Sequence, residues 1–144
     1  MGLNIKGIAS PHIDGKNYGQ QARATYNFAA DGGAIGTINL GVRLPDNAII
    51  TRAWYDVLTT FTSASDAATI AINIGSTALN TAVAISTGTP YDAGLHDMSA
   101  KGDDFSDPST YVKLSAESEL NLVAAVEALT AGKLIVFVDY VTSD

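Results

Sequence analysis

The sequence contains no cysteine, so neither disulfides nor thiolate metal sites are available to it. Histidine is nearly as scarce: there are two, His12 and His96. Two histidines without cysteine do not make a zinc site. Nucleophilic catalysis needs a base beside its nucleophile, and no such pairing is visible around either one. His96 and Asp97 are chain neighbours, but adjacent loop residues do not form a base and its orienting group. No apolar run approaches the ~18 residues of a membrane-spanning helix, and no basic-then-apolar leader marks a secretory signal. Basic residues are few as well, eight against fifteen acidic for a net charge of −7. That balance disfavours general binding to nucleic acid, where lysine and arginine must neutralise phosphates.

Phosphate-binding loops are also missing, although glycine is present. In DGGAIGTINLG (31–41) Gly32 and Gly33 are adjacent, which fails the G-x-G step of a dinucleotide fingerprint. In ALTAGKLIVF the Gly132-Lys133 pair is followed by Leu134, with Glu127 where a P-loop requires glycine. Both sites read as turns between strands, and Asp31-Gly32 reads as a hairpin dipeptide because both residues tolerate positive φ.

What is present is strand pattern. Ala24, Tyr26 and Phe28 share one face of an alternating segment, and Ile35 to Val42 follows the glycine turn. Leu44-Pro45-Asp46-Asn47 breaks the pattern as a second turn. From about Ile50 to Phe61 a long apolar and aromatic run sets Trp54, Asp56 and Leu58 on one side. Tyr55, Val57 and Phe61 take the other. TIAINI (69–74) is the cleanest period-two segment, with a row of three isoleucines whose register a one-residue slip would destroy. Ala78 to Ile85 is a weaker strand. Ser86 to Pro108 is the longest irregular region, and strands resume at Tyr111 to Ser115. Glu119 to Leu129 carries both helical and alternating spacings. The alternation of Leu120, Leu122, Ala124 and Val126 favours a strand ending in a Thr130-Ala131-Gly132 hairpin turn. In Lys133 to Val141 both faces of the strand are apolar, so both must be covered. A neighbouring subunit or the long loop is available for the outer one.

A chain of 144 residues can bury roughly 70% of its unfolded surface without staples. The expected fold is therefore all-β: a single-domain antiparallel β-sandwich, jelly-roll-like, over residues 22–144. A short extended N-terminal arm occupies 1–21. That arm is basic while the body is acidic. Residues 1–24 hold Lys6, Lys16 and Arg23 against Asp14, net +2, and the other five basic and fourteen acidic residues give −9. The leader reads either as a solvated tail or as an arm that docks on an acidic partner.

Two acidic sets are candidates for chemistry. Asp56, Glu117, Glu119, Glu127 and Asp139 are the carboxylates from which a glycosidase pair would have to come, but aromatics to support a sugar are few. Trp54, the single tryptophan, alternates with apolar neighbours and reads as core or interface. Asp92, Asp97, Asp103, Asp104 and Asp107 crowd one loop, yet their order does not match a calcium loop, and aspartate initiates turns. The reading is of a non-enzymatic protein with no catalytic residue, cofactor or metal.

Three segments carry a resemblance: ATYNFAADGGAIGTI, LPDNAIITRAWYDVLTTFTSASDAATIAINIG and ALTAGKLIVFVDYV. The chain from about Thr25 to Val141 resembles the small structural proteins of tailed-bacteriophage virions. In particular it resembles those that decorate or cement the capsid or form short head fibres. The resemblance implies a β-sandwich or jelly roll, commonly a homotrimer, bound to the major capsid protein at the outer surface of the virion. No nucleic-acid or membrane partner is implied. Under it Lys6, Lys16 and Arg23 are the capsid-docking candidates, and Trp54, Tyr55, Ile135 and Phe137 are the subunit-interface candidates. Another virion part, such as a tail or baseplate component, and a glycan-binding adhesion module are the alternatives.

Overall fold

The computed structural model describes residues 19–87, 89–98 and 111–143. Among them are nine strands and one helical turn: β1 Gln20–Asn27, α1 Phe28–Asp31, β2 Gly36–Leu44, β3 Ala48–Ser63, β4 Thr69–Ile74, β5 Thr77–Ala84, β6 Gly94–Asp97, β7 Val112–Lys113, β8 Ser118–Ala125 and β9 Leu129–Thr142. They form two antiparallel sheets. One has the order β1-β9-β3-β6, with β7 also paired to β3, and the other has the order β2-β8-β4-β5. The expected all-β sandwich is what forms, and the ambiguous segment after Ser118 is a strand.

The core is the pair of inner faces. Ala24 and Tyr26, Ala53, Tyr55 and Val57, and Leu134, Val136 and Val138 come from the larger sheet. The isoleucine row Ile70, Ile72 and Ile74 meets them together with Leu79, Leu120, Leu122 and Ala124, all buried. Strict alternation suffices for β4, but not for β3. Ala48 and Ile50 face inward at even positions, then Ala53, Tyr55 and Val57 at odd ones. The switch coincides with a register shift against β9 between Asp139 and Tyr140, the local kink that an extra residue imposes.

Aromatic rings run through one end of the core. Tyr26 stacks on Phe61 (5.5 Å between centroids), Phe61 meets Tyr91 edge-on (5.6 Å), and Tyr91 stacks on Tyr55 (5.5 Å). His96 stacks on the far side of Tyr55 at 5.2 Å. Each buried hydroxyl is satisfied. Tyr26 donates to the Gly32 carbonyl (2.6 Å), Tyr55 to that of Pro90 (2.7 Å) and Tyr91 to that of Ile70 (3.2 Å). Burial, reinforced by the charge of Asp31, pushes the Tyr26 hydroxyl up to about 12.

Three sequence expectations need correction. The Asp31-Gly32-Gly33 segment is not a hairpin turn, since β1 and β2 lie in different sheets. Asn27 caps a single helical turn by accepting from the Ala29 N–H (3.1 Å), and Gly32 (φ 75°) ends it. The chain is thereby redirected from one sheet to the other. A side chain at Gly33 would put its Cβ 2.3 Å from the Leu129 carbonyl oxygen, so the second glycine answers a close approach rather than a turn. Thr130-Ala131-Gly132 is likewise not a turn but part of β9, where the ladder with β3 is irregular. The actual reversal is at Val126 (φ 71°). Finally, the long irregular region contains β6, which pairs with Trp54 to Val57.

Glu127, just past that reversal, clasps the β3–β4 loop. Its carboxylate accepts from the Ser63 hydroxyl (2.6 Å), the Ser65 amide (3.1 Å), the Ser65 hydroxyl and the Ala67 amide (3.3 Å). The hydroxyl of Ser63, then the hydroxyl and amide of Ser65, hold the acid down at about 2 against an ordinary 4.5. A carboxyl depressed in the folded state stabilises the fold above its ordinary value and loses that contribution as pH falls toward the folded one. Glu127→Gln is therefore expected to melt below the parent at pH 7, with the gap closing between pH 4.5 and pH 2 in a series of thermal melts. A second expectation concerns Gly132, whose φ is 145° and whose added Cβ would lie 2.4 Å from the Phe61 ring. Backbone strain alone should lower the stability of Gly132→Ala by about 1–3 kcal/mol, measured by urea unfolding.

Candidate functional site

The outer face of the larger sheet carries half-buried aromatic and apolar side chains and two of the exposed leucines. Their grouping follows from register. Phe137 on β9 is opposite both Arg23 on β1 and Trp54 on β3, and Trp54 is opposite Asp97 on β6. One row across four strands is thus Arg23, Phe137, Trp54 and Asp97. The next is Thr25, Ile135, Asp56 and Leu95.

Within the first row the rings and charges interlock. Trp54 and Phe137 stack at 5.3 Å with their planes 11° apart. The Arg23 guanidinium lies over Phe137 at 5.6 Å, and that of Arg52 lies over Trp54 at 4.7 Å. Arg52 also pairs with Asp97 at 3.5 Å, an exposed ion pair of small energetic value. Each exposed cation–π contact contributes ~0.5–1 kcal/mol, enough to fix a ring's orientation but not to hold a fold together. Leu58 and Leu95 extend the apolar surface, 46% and 73% exposed. Leu95 also edges a shallow depression of about 320 Å³, lined by Arg52, Trp54, His96 and Asp97. His96 is held beneath it, its Nε2 2.8 Å from the Asp92 carbonyl oxygen.

The sequence candidates are divided by this geometry. Arg23, proposed for docking, and Trp54, Ile135 and Phe137, proposed for a subunit contact, share one continuous face. Tyr55 does not belong with them: it is 1% exposed and points into the core, because it alternates with Trp54. Lys6, Lys16 and His12 lie outside the described residues, as do Asp103, Asp104 and Asp107 and most of the proposed arm. Arg52 was within reach of sequence reasoning, two residues before Trp54 on the same strand. Leu95 was not, since nothing periodic marks its short strand.

Of the carboxylates considered for a glycosidase pair, Asp56 lies in the second row of this face, and the other four have partners. Glu117 and Glu119 both bind Arg43 (3.3 and 3.2 Å), Asp139 accepts from Gln21 (3.0 Å), and Glu127 holds its loop. Among the described residues no three histidine or acidic side chains are grouped as for a metal ion. What the outer face offers is paired aromatic rings, flanking guanidiniums and exposed leucines. Aromatic and arginine side chains are the ones enriched where protein surfaces bind one another. Rings already covered by guanidinium and by one another leave little open platform for a sugar.

No family model matches the sequence, and no curated protein matches it either. The fold, however, is similar to that of chains in two solved structures. One is the capsid of Ralstonia phage GP4, with 19% identity and a TM-score of 0.58, the match covering 96% of this chain and 94% of that one. The other is the capsid asymmetric unit of cyanophage Pam1, with 15% identity and a TM-score of 0.60, covering 99% and 100%. At these identities the likeness establishes a shared fold, and it extends from end to end.

Proposed function

We propose that this chain is a non-enzymatic phage capsid protein of the decoration, or cement, type. It binds the outer surface of the major capsid protein lattice and stabilises the head. The observation that carries the reading is the end-to-end likeness of fold to chains of two phage capsids, with almost nothing left over on either side. The character of the outer face supports it. A chain that works by contact needs a rigid surface rich in aromatic and arginine side chains, and Trp54, Phe137, Arg23 and Arg52 provide one.

Under this reading the arginine–aromatic face is the lattice contact. Arg23 and Arg52 meet carboxylates of the capsid protein, Trp54 and Phe137 are the buried anchors, and Lys6 and Lys16 add attraction to an acidic lattice. The trimer implied by the sequence resemblance is not required for this contact.

The test uses capsids lacking the protein and the purified full chain. Parent protein is expected to co-sediment with them and to shift the emission of its single tryptophan as Trp54 becomes covered. Phe137→Ala and Arg23→Ala together should weaken binding by at least tenfold, and the remaining binding should be less sensitive to salt. A double variant that folds and binds as tightly as the parent would refute the assignment of this face. No binding by the parent to any part of the particle would refute the capsid reading itself.

A further inference from the structure

One charged group on the outer face of the larger sheet stands apart from its interlocked rings and guanidiniums. Asp56 lies on β3, two residues beyond Trp54 and two before Leu58, and register sets it between Ile135 on β9 and Leu95 on β6. This half-buried carboxylate is thus framed by apolar side chains both along its strand and across it. Among the described residues no hydrogen bond or ion pair reaches it. The cations nearest to it by register are otherwise placed. Arg52 is held by Trp54 and Asp97, Arg23 lies over Phe137, and Lys133, on the diagonal opposite Thr59, forms no ion pair with it.

The fold gains no contact from this charge. Aspartate is depleted in strands, and β3 is paired on both sides, so Asp56 does not guard an edge against stray pairing. A residue that departs from what its strand favours, with no partner to compensate, is expected at a position that serves function. Water solvates the carboxylate while the face is open. Once the face is covered that water is lost, and an ion buried without a counter-charge costs several kcal/mol.

We infer, resting on the reading of this face as the lattice contact, that the lattice supplies the missing cation: the capsid-protein segment that covers the face sets a lysine or arginine side chain against Asp56. The aliphatic stem of either side chain packs on the apolar frame while its charged head reaches the carboxylate. The partner's surface is then mixed in sign, basic opposite Asp56 and acidic opposite Arg23 and Arg52. Asp56 also rejects wrong partners. A purely apolar surface that would adhere to Trp54, Phe137 and Leu95 has to bury the carboxylate unpaired, and an acidic one is repelled. Charge thus selects which surface the rings accept.

The test compares Asp56→Asn and Asp56→Lys with the parent, each as the full chain, in co-sedimentation with capsids that lack the protein. Asparagine keeps the shape of aspartate and still accepts hydrogen bonds, so the difference reports the charge. Asp56→Asn is expected to weaken binding by roughly tenfold or more, and Asp56→Lys to weaken it further, because a like charge then faces the cation. Without capsids, Asp56→Asn should melt no lower than the parent. An Asp56→Asn variant that binds as tightly as the parent, or an Asp56→Lys variant that binds more tightly than Asp56→Asn, overturns the inference and leaves the lattice contact standing. So does an Asp56→Asn variant that melts well below the parent, which would make the charge structural. A parent that binds no part of the particle overturns it together with the capsid reading.

Discussion

The hydrogen bond on which much of the sandwich depends is the one from Asn80 to Tyr91. Asn80 is a buried amide on the inner side of the smaller sheet, and burial of such a group is tolerable only with partners. Its Nδ2 donates to the Tyr91 hydroxyl at 2.9 Å, and that hydroxyl donates onward to the Ile70 carbonyl. Tyr91 belongs to neither sheet. It comes from the connection after β5, and by filling the space between Phe61 and Tyr55 it ties that connection into the core. The backbone repeats the tie, with the Phe61 amide donating to the Tyr91 carbonyl at 3.0 Å. One polar group is thus accommodated in a way that closes an open end of the sandwich.

That closure reaches the surface. The same connection continues into β6, whose pairing with Trp54 to Val57 supplies Asp97 to the arginine–aromatic row. His96 touches both layers, its ring on Tyr55 inside and its edge on the outer depression. The arginine–aromatic face is therefore backed by side chains that reach into the core.

The parts of this architecture that were legible in the sequence are those governed by period alone. The Thr69–Ile74 strand could be read to the residue, because nothing interrupts its alternation. That Trp54 and Tyr55 take opposite faces could be read for the same reason, but not which of the two faces is the outer one. Register could not be read either, and it is register that sets Phe137 between Arg23 and Trp54 and Asp56 between Ile135 and Leu95. Glycine was misread at both sites. Gly33 and Gly132 are glycines because Leu129 and Phe61 press against them, a cause that lies far along the chain. The isolation of Asp56 was invisible for a similar reason, since a carboxylate's want of a partner depends on all its neighbours at once.

The placement of the last strand has a consequence for how the molecule is made. β9 lies between β1 and β3, and its residues Lys133 to Tyr140 pair with Asn27 to Gln20. Until it emerges, the larger sheet lacks its middle, and the first strand has no neighbour. At ribosomal speeds of roughly 5–20 residues per second, Gln21 waits on the order of ten seconds for Asp139, 118 positions later. The larger sheet therefore cannot close until β9 has been made, whatever the smaller sheet has formed by then.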